Sequence, residues 1–224
     1  LDGLPLAIEL AAVRTRALST KQIANGLRDR FRLLRGGPRT VPQRQQTLEQ
    51  ALAWSYNLLI EEEKSVFSQL SVLAAGFDLE AVSAVCSSDE DPDLILDTLS
   101  ALIDRSLVLC RESEEGFRYG MLETVRDFAY RELERSGTLQ EIRERHFHYF
   151  KERASQRSQP GEAGLSELSH DHANFGVALD WALQFQPNEA LKMAASLGDY
   201  WFYGGHFTEG SDYLERALQG GECP

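Results

Sequence analysis

The chain has 224 residues, of which 42% are hydrophobic and 26% charged, and its formal net charge is −12 at pH 7. This is enough apolar content for one large or two to three small cores, and no apolar run approaches the ~18 residues that cross a bilayer. Through Arg44 there are nine basic residues against three acidic ones, and beyond it fourteen against thirty-two, so most of the surface repels phosphate backbones.

The hydrophobic period is helical almost throughout. Leu1–Ala7 reads as the middle of a motif, which suggests a piece of a longer protein, and no basic-then-apolar leader opens it. Pro5 fits the first turn of a helix, where its missing N–H is not needed. Leu4, Ile8 and Ala11 on one side and Leu6, Leu10 and Val13 on the other predict a buried helix. Ser19-Thr20-Lys21-Gln22 reads as a capping box. It opens a helix with Ile23, Leu27, Phe31 and Leu34 on one stripe. Gly36 to Pro42, with two prolines and two glycines, is the clearest linker. Short helices follow. Leu48, Leu52 and Leu59 share a face, then Val66, Phe67, Leu70 and Leu73, and Gly76 breaks the run. Leu79, Val82 and Val85 begin another, and Asp91-Pro92 caps a helix carrying Ile95, Leu96, Leu99, Leu102 and Ile103.

One segment departs from the helical period. Ser106–Arg111 and Phe117–Met121 are strand-like and flank the polar Glu112–Gly116, a β-hairpin signal. Three short helices followed by a hairpin is the element order of a winged helix. Helices resume with Val125, Phe128, Ala129 and Leu133. After Gly137 a long charged helix carries Leu139, Ile142, His146 and Tyr149/Phe150. Beyond a polar break at Ser155–Gly164, Leu168, His172, Phe175, Leu179 and Leu183 recur at helical spacing. Leu197-Gly198, Trp201, Gly205, Gly210, Leu214 and Ala217 sit at tetratricopeptide-like offsets, with small residues expected where helices cross. The expected fold is mainly α, with a winged helix carrying one β-hairpin and then tetratricopeptide-like helical hairpins.

Residues that could carry chemistry read as structural. No phosphate loop, dinucleotide fingerprint or nucleophile elbow is present in the sequence. His146/His148 and His170/His172 are spaced two apart and point about 200° apart on a helix, so neither pair chelates from one face. No metal site and no catalytic residue is expected. Glu61-Glu62-Glu63 marks a helix first turn, and Asp89-Glu90-Asp91 a solvated loop. Trp54, Trp181 and Trp201, with Tyr56, Tyr200 and Tyr203, read as core rather than as a base-stacking surface. Cys86, Cys110 and Cys223 form no Cys-x-x-Cys pair, and their odd number favours a reducing, cytoplasmic compartment over a disulfide framework.

An ordered set of strings resembles a known family. Leu1–Ala12 looks like the Gly-Leu-Pro-Leu motif of the NB-ARC branch of STAND signalling ATPases, and most closely that of bacterial LuxR- and AfsR-type transcriptional regulators. Asp29–Leu34, Arg44–Leu48, Trp54–Leu59, Leu70–Phe77, Leu122–Arg126, His172–Phe175, Ala178–Leu183 and Gly205–Gly210 agree in order. The resemblance implies domains at residues 1–42 (the end of a helical subdomain), 43–137 (winged helix) and 138–224 (the start of a tetratricopeptide-like region). It also implies that Gly3, Leu4, Pro5 and Leu6 contact a nucleotide held by an upstream P-loop domain of the full-length protein. That protein would be a slow ATPase switch using ATP or ADP with Mg. The family's Met-His-Asp phosphate sensor aligns with Met121, Leu122 and Glu123; leucine cannot bond a phosphate, and Glu123 would pair instead with an arginine of the nucleotide domain. The implied function is a non-enzymatic relay between the upstream NTPase domain and an effector at the helical repeats. DNA would be contacted only through a separate domain, and no membrane is involved. Two alternatives stand beside it. One is DNA binding by the winged helix itself through Asp91–Arg105, where Asp93, Asp97 and Asp104 outnumber Arg105. The other is a helical hydrolase or transferase.

Overall fold

The computed structural model describes residues 12, 15, 21–22, 48–86, 92–113, 116–156 and 168–220. Gly3, Leu4, Pro5 and Leu6 lie outside them, as do the 36–42 linker, Asp89-Glu90-Asp91 and Cys223.

From Leu48 onward the first two helices are α1 (Leu48–Asn57) and α2 (Glu61–Gln69). The three glutamates do occupy the first turn of α2, where carboxylates favour the positive end of the helix dipole. Glu63 also accepts the Ile60 N–H at 3.0 Å, closing that end of the helix. A 3₁₀ turn (Leu70–Val72) ends α2, and the chain runs extended at Leu73. Asp78 starts α3 (Leu79–Cys86) by accepting the Ala81 N–H at 2.8 Å. α4 (Pro92–Asp104) follows. Ser106, with φ of +58°, turns the chain into the hairpin, while Leu107 and Val108 stay buried.

The hairpin consists of β1 (Leu109–Ser113) and β2 (Gly116–Gly120), paired antiparallel with Cys110 opposite Tyr119 and Glu112 opposite Phe117. The strands are shifted from the expected bounds. Ser106–Val108 belongs to the turn and core, and only residues 114–115 separate the strands, because Glu112 and Ser113 pair with Phe117 and Gly116. Phe77 adds an isolated antiparallel bridge to Tyr119 on the other side of β2, through N–H···O bonds of 2.9 and 2.7 Å. Helix α1–turn–helix and hairpin elements thus assemble as a winged helix, with Phe67, Leu70, Phe77, Ile95, Leu99 and Leu102 in its core.

α5 (Glu123–Ser136) packs on α2 and ends at Gly137, whose φ of +80° is the left-handed conformation glycine accepts without strain. α6 (Leu139–Gln156) lies against α3 on one side and α7 (His172–Phe185) on the other. α8 (Pro187–Ser196), α9 (Gly198–Tyr203) and α10 (Phe207–Gly220) complete the array, with α8 packed on both α7 and α10.

The aromatic residues divide. Trp181, Trp201 and Tyr200 are buried and Tyr56 half-buried, but Trp54 is 48% and Tyr203 61% exposed, against expectation. α1 turns Leu52, Ala53 and Tyr56 to the core, which leaves Trp54 on its outer side. Of the small residues read as crossing points, Gly210 and Ala217 are buried, whereas Gly205 serves a turn with φ of +77° and Gly198 has open space at its Cβ position.

Trp201 and Tyr213 stack nearly parallel, 6.0 Å apart, over Gly210. A Cβ at Gly210 would come within 2.8 Å of the Trp201 ring, which is held by that stack. Gly210→Ala should therefore destabilise the chain by about 1–3 kcal/mol through overpacking. Urea unfolding checks this, and an unchanged midpoint would mean that the crossing has slack.

Candidate coupling site between the wing and the helical array

The densest polar cluster lies where the wing meets α6 and α7. Asp78 sits in the turn before α3, Arg118 on β2, Tyr149 and Arg153 on α6, and Asp171 just ahead of α7. Arg153 is 8% exposed and Asp171 2%. The Arg153 Nη2 donates to Asp78 Oδ2 at 2.7 Å, and its Nε lies 2.6 Å from Asp171 Oδ2 as a charge contact without hydrogen-bond alignment. The Tyr149 hydroxyl accepts from Arg153 Nη1. Arg118 donates to Asp171 Oδ1 at 3.1 Å, to the Gly76 carbonyl at 2.6 Å and to the His170 carbonyl at 3.2 Å, and it lies 3.6 Å from Asp78.

Burial pushes the Asp78 carboxyl up, but the Ala81 N–H, the Arg153 guanidinium and the Arg118 charge outweigh it and hold its pKa below the ordinary value. At Asp171 burial is the larger effect, and the carboxyl stands above its ordinary value despite Arg153 and Arg118. Burial opposes the charge on Arg153, yet Asp171 and Asp78 raise its pKa overall. The two partners' shifts thus favour opposite charge states for the pair. Guanidiniums at 2.6 and 3.1 Å decide for an ionised Asp171, since a neutral one would leave buried positive charge uncompensated.

A second bridge runs beside the first. Asn174 Oδ1 accepts the Ala74 N–H at 2.8 Å and lies 3.3 Å from His146 Nε2. His146 is fully buried, and burial draws its pKa down to about 4, so the ring is neutral at pH 7 with its Nε2–H facing Asn174. His148, two residues on, is exposed, so that pair splits between core and solvent. His170 is exposed and His172 half-buried.

Arg111, Arg118, Arg126, His170 and Met121 line a groove of about 510 Å³ on the wing side of this junction. Arg126 reaches the Ala74 carbonyl at 3.0 Å. Of the three positions aligned with the sensor motif, Met121 lines the groove, Leu122 is the half-buried residue before α5, and Glu123 is exposed in the first turn of α5. No nucleophile paired with a base is assembled at this junction among the described residues; its charges neutralise one another and bind backbone.

Asp78, Arg118, Arg153 and Asp171 were not among the residues singled out from the sequence. Asp78 before an apolar helical stripe is an N-cap cue. Asp171 adjoins the His172-Ala-Asn-Phe175 string. Arg153 lies among charged residues of a long helix and carries no local signal.

Removing one member of a buried pair strands the others. Arg153→Met should cost about 3–5 kcal/mol, and Arg153→Met with Asp171→Leu should regain much of that loss. A double variant as unstable as the single one would show that the charges are not the cause. His146 contributes a separate dependence on acidity. Its folded pKa is depressed to about 4 from 6.5, so stability is complete above pH 6.5, falls as the pH drops from 6.5 to 4 with a slope of up to about 1.4 kcal/mol per unit, and levels off below 4. His146→Gln should flatten that slope between pH 6.5 and 4, as read from stability measured at several pH values.

Comparison with known proteins bears on the winged-helix segment and on the chain as a whole. Residues 59–134 match the winged helix-turn-helix domain family. The chain is 40% identical over 225 residues to proteins of Mycobacterium tuberculosis strain H37Rv and of Mycobacterium bovis that are provisionally named HTH-type transcriptional regulators. That match covers 98% of the chain and 25% of each relative. An uncharacterized protein of M. tuberculosis is 38% identical over 154 residues, covering 68% of the chain and 39% of that protein. The chain thus spans about a quarter of the length of the first of these relatives. Element order, hairpin pairing and family match agree that residues 59–134 are a winged helix-turn-helix domain, within a chain similar to a quarter of the length of mycobacterial proteins provisionally named HTH-type transcriptional regulators.

Proposed function

We propose that this chain is a segment of a DNA-binding transcriptional regulator, and that its winged helix passes a conformational signal rather than reading bases. The first half is supported by the winged helix-turn-helix match and by the names of the relatives. The second half is carried by one observation, the exposed face of α4. In a winged helix this is the helix that would enter the major groove. Its described exposed side chains are Leu94, Leu96, Asp97, Ser100 and Asp104, and the Arg105 that follows points back to Glu63 at 3.2 Å. Carboxylates and leucines suit a protein surface better than a phosphodiester backbone.

The wing is also committed. Arg118 binds the His170 carbonyl and the Asp171 carboxylate, both just ahead of α7, so displacement of α7 is transmitted to β2. The Gly3–Leu6 string supports an ATP- or ADP-binding neighbour, and the helices from 139 on supply a place for an effector. Nucleotide and effector would then bias one two-state equilibrium.

The family match favours a second reading, in which the winged helix itself holds DNA. Fluorescence anisotropy of this chain with promoter DNA at about 150 mM salt separates the two. The relay reading expects no binding tighter than the non-specific range of about 10⁻⁴–10⁻⁶ M. Nanomolar, sequence-dependent binding would make this winged helix the reader.

A further inference from the structure

The array brings together three metal-ligating side chains that are far apart in sequence. His172 lies in the first turn of α7, His206 follows the Gly204-Gly205 turn, and Glu209 is in the first turn of α10. One ligand atom from each lies within 4.8 Å of the other two, and His172 Nε2 is 3.2 Å from Glu209 Oε2. The His172 and His206 rings stack at 4.4 Å.

The surroundings favour a ligand set over a chance meeting. Tyr200 is 3% exposed, and its hydroxyl is 3.0 Å from His172 Nδ1. With an ion on Nε2, the ring would carry its proton on Nδ1 and the hydroxyl would accept it, the support a ligating histidine commonly has. The turn that delivers His206 requires glycine twice. Gly205 has φ of +77°, and a Cβ at Gly204 would meet the Tyr200 carbonyl at 2.7 Å and the His206 ring at 3.1 Å. His172 and Glu209 are about one-third exposed, so an ion has access and the side chains can turn.

We propose that His172, His206 and Glu209 form a binding site for one divalent transition-metal ion of the zinc class, with Tyr200 as its supporting residue. Two imidazoles and one carboxylate are a zinc donor set that leaves a fourth position for water. With ligand bonds of about 2.0–2.2 Å, the three atoms would close to roughly 3.5 Å of one another. The stacked rings would swing apart so that both nitrogens face the ion. Bound there, the ion ties the start of α7 to the start of α10 and stabilises the array. Adjacent spacing of His170 and His172 could not do this; the site is made by the approach of separate helices.

The full 224-residue chain, stripped of metal with a chelator, is titrated with Zn²⁺ by calorimetry and with Co²⁺ by visible absorption. One equivalent of each should bind, and the melting temperature should rise with Zn²⁺. His206→Ala and Glu209→Gln should each abolish that equivalent while leaving the circular dichroism of the metal-free chain unchanged. Tyr200→Phe, which keeps the ring, should weaken binding by about 10–100-fold. Absence of saturable binding would overturn the site, as would a Zn²⁺ affinity unchanged in both His206→Ala and Glu209→Gln.

Discussion

Arg153 sets the terms for the rest of the molecule. It is a guanidinium almost without water, and because it stays protonated it can remain buried only while Asp78 and Asp171 stand against it. Asp78 is 75 positions away in the chain and belongs to the winged helix, while Asp171 opens the next helix of the array. One side chain on α6 therefore requires both units to be in place. Apolar contacts between α3 and α6 would tolerate small slides; a set of directed charges is less forgiving of a change in register.

The same network explains how a wing becomes part of a scaffold. Arg118 occupies the strand that would otherwise project freely, and it spends its donors on the Gly76 and His170 carbonyls and on Asp171. Asn174 repeats the arrangement by holding the Ala74 N–H from the array side. The 73–78 segment is thereby gripped by side chains of β2, α5, α6 and α7. A segment bound at so many points moves with its neighbours, which is the mechanical requirement for passing a signal between them. The acidic and apolar face of α4 lies on a different part of the domain and is left for whatever the domain meets.

Much of the fold was legible beforehand because it is local. Glu61–Glu63 at a helix start, Gly137 at a helix end, and the stripes of Val66/Phe67/Leu70 and Ile95/Leu99/Leu102 express a helical period and the chemistry of helix ends within a few residues. The hairpin was visible as an alternation in Phe117–Met121, but its register was not. Glu112 and Ser113 look like loop residues until the partner strand supplies their hydrogen bonds. Trp54 was misplaced for a related reason. Hydrophobicity recommends burial, but whether a neighbour covers that side of α1 is decided elsewhere in the chain.

The sequence by itself determined the helical elements, the one hairpin, the winged-helix order and the acidic balance, since each depends on spacing and composition. Tertiary structure alone decided that Asp78, Arg118, Arg153 and Asp171 share one site and that His172 meets His206 and Glu209. A charged side chain reads the same whether solvated or paired. Its partner is chosen by the approach of two elements in space, and no local pattern records that approach.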